Sequence, residues 1–315
     1  MLLLKSADVD LLIENLSIDE IMQLCTESLQ AIPHADHKTC PTRLVVETDK
    51  YTSLHMPCAY KGTVSEKVVG ISKAGLSAYL TLLNAETGAI QALMNAKRLT
   101  ALRTAGCSLV SSYMAFKAKR EPTNLVVFGS GDQAQMHISL HCRLFESSLS
   151  NITVIVRDLT STNCLKLKTI WSQATFLLAE DGRCRKAVQE ADIVCGCTPS
   201  VQPLFDSADL KPTAHVTLIG AYKPNMREGD TNLFKHQVFV DSLKDCLHEA
   251  GDLMAAIEAG VCSAANLTQL GEADKISTGI TVYKSVGTSL MDAALAQTIF
   301  AKAKKLNVGT IVGDF

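Results

Sequence analysis

Beyond Asn124 the chain is punctuated by short, largely apolar runs, and these constrain the fold more than any other feature. Leu125-Val126-Val127-Phe128, Ile152–Val156, Ile193–Cys197, Val216–Ile219 and Val238–Val240 have strand length and hydrophobic character on both alternating faces. The segments between them are long enough for helices. Alternation of this kind predicts a doubly wound parallel α/β sheet covered on both sides.

The first run ends in Gly129-Ser130-Gly131-Asp132-Gln133-Ala134, and the residues from there to Phe145 fit a helix. A GxGxxG/A motif in that strand–turn–helix context is a dinucleotide-binding fingerprint. Gly129 permits the tight turn and Gly131 lets the backbone close on a pyrophosphate. Ala134 allows the helix to pack near the strand while its first amides face the negative charge. The next strand ends in Val156-Arg157-Asp158. An acid there suits the ribose 2′-OH of NAD and an arginine the 2′-phosphate of NADP. The chain offers both; Arg157 comes first and favours NADP, with NAD possible.

The chain before Asn124 reads differently. Apolar residues between Asp8 and Ala31 lie at helical spacings, and Ser17 with Glu20 forms a capping box, so two helices are expected. Arg43–Glu47, Tyr51–Met56, Lys67–Ser72, Tyr79–Asn84 and Ala89–Leu93 are β-rich and predict an antiparallel sheet. A long helix is expected over about Leu99–Ala118, stopped before Pro122. At the other end, Ser289–Leu306 carries Leu290, Ala294, Leu295, Ile299 and Ala303 on one stripe, which predicts a last helix packed back on the first domain. The Rossmann segment, residues 121–287, is thus expected as an insertion in a second α+β domain of residues 1–120 plus 288–315.

Composition excludes several classes. With 30 Lys+Arg against 32 Asp+Glu and no blocks of one sign, nothing marks a nucleic-acid or acidic-membrane binder. Met1–Leu4 is too short for a signal-peptide core or a membrane span. Eleven cysteines without a CxxC pair point to reduced thiols and a cytoplasmic protein with a small-molecule partner. His137 and His141 share a helix face, but no acid or cysteine completes a ligand pattern, so no metal site is expected. Cys195 and Cys197 read as core thiols, and Asp206, Asp209 and Asp230 as caps or solvated charge.

Arg43, Lys67 and Arg103 begin or interrupt apolar patterns. Taken singly, each reads as a side chain with its stem along the surface and its charge in water. Taken with its surroundings, Lys97-Arg98-Leu99-Thr100-Ala101-Leu102-Arg103-Thr104-Ala105-Gly106 resembles a signature of the ornithine cyclodeaminase/mu-crystallin family. Further pieces occur in that family's order: Met56-Pro57, Lys67, Asn84 to Gly88, the Gly129 motif, Ala191-Asp192-Ile193-Val194 leading to Thr198, Gly220 with Pro224 and Glu228, Val240-Asp241-Ser242, Glu249-Ala250-Gly251-Asp252 and Lys284-Ser285-Val286-Gly287. The resemblance implies that Arg43, Lys67 and Arg103 grip a substrate α-carboxylate. It implies too that Thr198 and Gly220 belong to the cofactor site, that Ser285 and Val286 line the place where cofactor and substrate meet, and that two chains form a dimer. The three cations should then converge and face the glycine turn across a cleft. Guanidinium groups suit a carboxylate through paired hydrogen bonds. Burial beside two permanent cations should lower the Lys67 pKa and fit it to exchange a proton.

The chain departs from the resembling cyclodeaminases at two acids: Leu54 stands two residues before Met56-Pro57, and Gly220-Ala221-Tyr222 replaces a Gly-Gly-Asp turn. Neutral residues are poorly suited to orient and deprotonate the distal amine of ornithine. The expected function is therefore NAD(P)H-dependent reduction of an imino (ketimine) or 2-oxo carboxylic acid, or oxidation of the corresponding amino acid, catalysed with Lys67. The alternatives are ornithine or lysine cyclodeamination, and non-catalytic, crystallin-like binding of a dinucleotide and a small carboxylate such as thyroid hormone.

Overall fold

The computed structural model describes residues 1–73, 75–117 and 119–313. It divides into two compact units, Met1–Arg103 with Gly287–Phe315, and Thr104–Val286. The first opens with β1 (Leu2–Leu4), α1 (Ser6–Glu14) and α2 (Ile18–Ala31). It continues through β2 (Leu44–Glu47), β3 (Tyr51–Tyr60), β4 (Thr63–Ser72), β5 (Gly75–Asn84) and β6 (Ile90–Asn95) into α3 (Lys97–Phe116). The second runs β7 (Asn124–Phe128), α4 (Asp132–Leu144), β8 (Asn151–Val156), α5 (Thr162–Ile170), β9 (Thr175–Leu178), α6 (Arg183–Glu190) and β10 (Ile193–Gly196). It goes on through β11 (His215–Leu218), β12 (Gln237–Val240), α7 (Leu243–Glu249), α8 (Gly251–Glu258), β13 (Leu267–Gln269) and β14 (Thr281–Lys284). The chain then returns to the first unit as α9 (Ser289–Leu306) and β15 (Thr310–Ile311).

The first unit is built on a seven-stranded sheet in the order β15-β1-β6-β5-β4-β3-β2, with β2 to β6 an antiparallel meander. Alternate residues on each strand explain its layering. Leu54, Met56, Leu80, Leu82 and Met94 are buried on one face, and α9 packs against β3, β4 and β5 as well as α1 and α2. The Ser17–Glu20 capping box closes reciprocally at the start of α2, with bonds of 2.7 and 3.1 Å. The expected end of the long helix, Ala118, lies outside the described residues. β1 pairs in parallel with β6 and antiparallel with β15, a use of the apolar opening that short-range patterning does not reveal.

The second unit is an eight-stranded sheet, β13-β12-β14-β11-β10-β7-β8-β9, parallel throughout. Val126, Val194, Val216 and Val282 fill the core on one face, while Leu125, Val127, Ile193 and Cys195 fill the other. This double burial makes the strands read as continuous apolar runs. β8 and β9 lie on one side of β7 and β10 on the other, so the strand order reverses between β7 and β10. Crevices at such reversals hold ligands in open α/β sheets.

The division between units falls inside α3, between Arg103 and Thr104, whereas the sequence predicts it at about residue 120. The reason is a seam of hydrogen bonds from the later turns of α3 to the parallel sheet's elements. Ser108, Ser112 and Ser111 meet the Nε2 atoms of His137, His141 and His215 at 2.9, 2.9 and 3.0 Å. All three imidazoles are fully buried, and burial pushes their pKa values down to about 3, 4 and 3, so they pack as neutral rings. Their Nδ1 atoms sit against the Gln133 and His137 carbonyls and the Thr281 hydroxyl. His137 and His141 therefore serve packing.

Candidate active site

Lys67 lies mid-strand on β4, opposite Met56 and Leu80, and so points to the helix-covered face of the first unit's sheet. There its ammonium meets Asp292 in the first turn of α9, with Nζ 2.5 Å from Oδ2 and both side chains 1% exposed. A carboxylate in the first turn also gains from the helix dipole. The other carboxylate oxygen faces Arg103 of α3, at 3.3 Å from Nε. Arg43, just before β2, donates from Nη2 to the Gly287 carbonyl at 3.2 Å. Gly287 has φ +80°, and a Cβ built on it would fall onto the Arg103 guanidinium. The two arginines thus meet at one glycine, and Arg103 and Lys67 meet at one carboxylate.

Lys67 and Arg103 at Asp292, with Arg43 at the neighbouring Gly287 carbonyl, leave an excess of positive charge in a largely buried place. Such a place is completed by an anion. Lys67 responds to it: burial, assisted by Arg103 and Arg43 and opposed by Asp292, brings its pKa down to about 7. The group can then hold or release a proton near neutrality while the guanidinium groups stay charged. None of the three reads as a surface cation, since Lys67 and Arg103 are buried and Arg43 is half-buried. Leu54, two residues before Met56 on the same face, is buried too and brings no charge.

In the second unit, Gly129 ends β7 with φ +111°, and a Cβ there would strike the Cys197 carbonyl. Packing alone requires that glycine. Gly131 is different: a Cβ on it would meet nothing within 4 Å. Its backbone is therefore open to close approach from outside, and as N-cap of α4 it brings no side-chain cap to the first amides of that helix. Open backbone and the helix dipole together suit a pyrophosphate. Ala134 is fully buried against the sheet, while Ser130, Asp132 and Gln133 line the turn and the first residues of the helix. At the end of β8 the Asp158 carboxylate accepts from the Thr160 amide and hydroxyl at 2.7 and 2.6 Å, which holds its pKa down. Arg157 is exposed and, among the described residues, has no ion-pair partner.

A model of the ornithine cyclodeaminase/mu-crystallin family matches residues 6–307. The chain belongs to that family. An uncharacterised relative in Schizosaccharomyces pombe is 31% identical over 307 residues, covering 84% of this chain and 88% of that protein. A Delta(1)-pyrroline-2-carboxylate reductase of Colwellia psychrerythraea is 28% identical over 244 residues, 72% of this chain and 74% of the relative. Among solved structures, the Delta(1)-pyrroline-2-carboxylate reductase of Thermococcus litoralis, in complex with NADH and L-proline, superposes with a TM-score of 0.83 at 24% identity. That match covers 99% of this chain and 100% of the other. An archaeal alanine dehydrogenase dimer with bound NAD also gives 0.83, at 23% identity over 100% and 99% of the two chains. These superpositions confirm the Rossmann sheet with its second, mixed-sheet domain as the family fold.

The family's remaining signature residues face inward. The Ser285 hydroxyl donates to the buried Asp241 at 2.6 Å, and the Val286 amide points to the same carboxylate at 3.4 Å. Thr198 and Gly220 donate to Glu228. These N–H and O–H groups are thus committed within the second unit. Asp292 is the residue that sequence reasoning missed. Its signal was an acid inside the buried stripe of the last helix, between Met291 and Ala293, where a carboxylate must find a partner.

Proposed function

We propose that this member of the family is an NAD(P)H-dependent oxidoreductase, with NADPH preferred, that reduces the C=N bond of a small cyclic imino acid or works on the corresponding 2-oxo and amino acids. The observation that carries this reading is the buried cluster of Lys67, Arg103 and Arg43 around Asp292 and Gly287. Arg43 and Arg103 hold the substrate carboxylate and fix the attached carbon. Lys67, poised near neutrality and oriented by Asp292, gives a proton to the substrate nitrogen or oxygen. The bound nicotinamide supplies hydride. Because a protonated C=N is already electrophilic, little more is needed than anchoring, exclusion of water and one proton donor.

Two features refine the substrate and the cofactor. Leu54 and Met56 put apolar surface on the face that carries Lys67, which suits a hydrocarbon ring and not the second ammonium of ornithine. The reductases of Delta(1)-pyrroline-2-carboxylate among the relatives support the same class. Arg157, exposed and free to pair, suits a 2′-phosphate, while Asp158 is already bound to Thr160. We further propose that two copies associate through the first unit's sheet. Leu44, Val46, Tyr51 and Tyr79 are exposed together on the face opposite Lys67. All eleven cysteines are free, which supports a reducing compartment such as the cytoplasm.

The test is a spectrophotometric screen of NADPH and NADH against cyclic ketimine carboxylates, pyruvate with ammonium, and ornithine. Oxidation of NADPH with a cyclic ketimine is expected. Release of ammonia from ornithine without net cofactor consumption would establish the cyclodeaminase instead, and tight dinucleotide binding with no turnover would establish a binding protein.

A further inference from the structure

The second unit buries acids that the reaction above does not use, Glu228 among them. Glu228 is fully buried, and its carboxylate joins two loops at the carboxyl ends of neighbouring strands. Oε1 accepts from the Thr198 amide at 2.7 Å and from the Thr198 hydroxyl at 2.9 Å, in the loop after β10. Oε2 accepts from the Gly220 amide at 2.6 Å, in the loop after β11. The surroundings are shaped to admit it. A Cβ on Gly196 or on Gly220 would collide with this carboxylate, and one on Gly220 would also collide with the Thr198 carbonyl. Behind it, the Glu228 amide leans toward Asp252 at 3.4 Å, and Asp252 pairs with the buried Lys284 at 3.3 Å.

Thr198 connects this acid to the glycine turn. A Cβ on Gly129 would meet the Cys197 carbonyl and, at 3.4 Å, the Thr198 methyl. The chain of contact runs from Glu228 through Thr198 to the start of the Gly129–Gly131 turn, along one wall of the crevice at the strand-order reversal. We propose that Glu228 is a positioning residue for the dinucleotide: its carboxylate fixes the β10 and β11 loops at the separation that receives the nicotinamide half of the cofactor. This rests on the dinucleotide-dependent reading above and deepens it. The adenosine half is held elsewhere, by the glycine turn and the end of β8, so a loss confined to one half of the cofactor distinguishes positioning from general packing.

Glu228→Gln keeps the size of the side chain, but its amide group must present N–H either to the Gly220 amide or to the Thr198 amide, so one charge-assisted bond becomes a clash of donors. The experiment measures NADPH and adenosine 2′,5′-bisphosphate binding by titration to wild type, Glu228→Gln and Thr198→Val. It is accompanied by KM for each substrate and by thermal melting. NADPH binding is expected to weaken about tenfold to a hundredfold in Glu228→Gln and by less in Thr198→Val, which loses only the hydroxyl bond. Adenosine bisphosphate binding and the KM for the imino acid at saturating cofactor should stay near wild type. Equal NADPH binding by wild type and both variants overturns this assignment alone, as does parallel loss of NADPH and adenosine bisphosphate. Wild-type protein that binds neither NADPH nor NADH overturns the proposed function and this assignment with it. Should Glu228→Gln not fold, Thr198→Val decides by the same criteria.

Discussion

Replacing Asp292 by Asn removes one negative charge and little else. The amide oxygen can still face Arg103, and the volume is nearly unchanged. Lys67, however, loses the anion 2.5 Å from its Nζ, the one neighbour in the cluster that favours its charged form. With Asp292 present its pKa is about 7. Without it, burial and the two guanidinium groups act unopposed, and an opposite charge at this distance is worth about one to two pH units or more. At about pH 8 the protonated fraction of Lys67 would fall from about one in ten to about one in a hundred or one in a thousand. If Lys67 donates the proton, kcat for imine reduction should drop about tenfold to a hundredfold there, and the alkaline limb of the pH–rate profile should move to lower pH by the same one to two units. Losing one partner of a buried pair also costs about 3–5 kcal/mol of stability, so circular dichroism at the assay temperature must show folded protein. A folded Asp292→Asn enzyme with a reduced rate but an alkaline limb at the wild-type pH would refute the assignment of Lys67 as proton donor.

Three further outcomes follow from the geometry. Arg157→Ala should raise the KM for NADPH about tenfold or more and leave that for NADH nearly unchanged, since charge-assisted bonds to a phosphate are worth about 1.5–3 kcal/mol; equal effects on both cofactors would sink the 2′-phosphate role. Gly287→Ala places a methyl group on the Arg103 guanidinium and strains a backbone of positive φ by about 1–2 kcal/mol, so kcat/KM should fall far more than the melting temperature suggests, as steady-state kinetics beside calorimetry would show. Acid should destabilise the fold early, because His137, His141 and His215 stay neutral when folded down to about pH 3 to 4 but take up protons near pH 6.5 when unfolded. The unfolded chain binds more protons throughout that window, so stability falls as pH drops, by up to about 4 kcal/mol per pH unit for the three together; an unchanged urea midpoint between about pH 7 and pH 5 would contradict this.

What the sequence revealed, and what it concealed, divides along one physical line. Period and punctuation act locally. The apolar runs that became β7, β8, β10, β11 and β12, the glycine turn, and the Ser17–Glu20 cap are each decided by a few neighbouring residues, and each is found where the pattern puts it. β14 escaped because it is short and ends in a charge, Lys284, and β1 because its partners come from β6 and from the far end of the chain. The convergence of Lys67, Arg103 and Arg43 was legible only through several motifs in one order, since any one cation in an apolar run also fits a surface stem.

The buried acids were the least legible residues: Asp292 escaped altogether, while Glu228 and Asp241, behind Ser285, entered only as motif residues with no partner assigned. Each needs a partner supplied by a distant segment: Lys67 lies on β4, far from α9 in the chain, Thr198 and Gly220 lie in two separate loops, and Ser285 follows β14. Glu228, between Arg227 and Gly229, lacks the signature that Asp292 and Asp241 share, an acid beside residues that cannot face water, as in Met291-Asp292-Ala293 or Val240-Asp241. A carboxylate there would cost several kcal/mol if left alone, so its presence already implies that a cation or several N–H and O–H donors must converge on it. Read that way, the acid points to the site as strongly as the basic residues do. It also accounts for a Lys67 pKa near neutrality: without Asp292 burial would lower it further, and without burial it would stay in the usual lysine range.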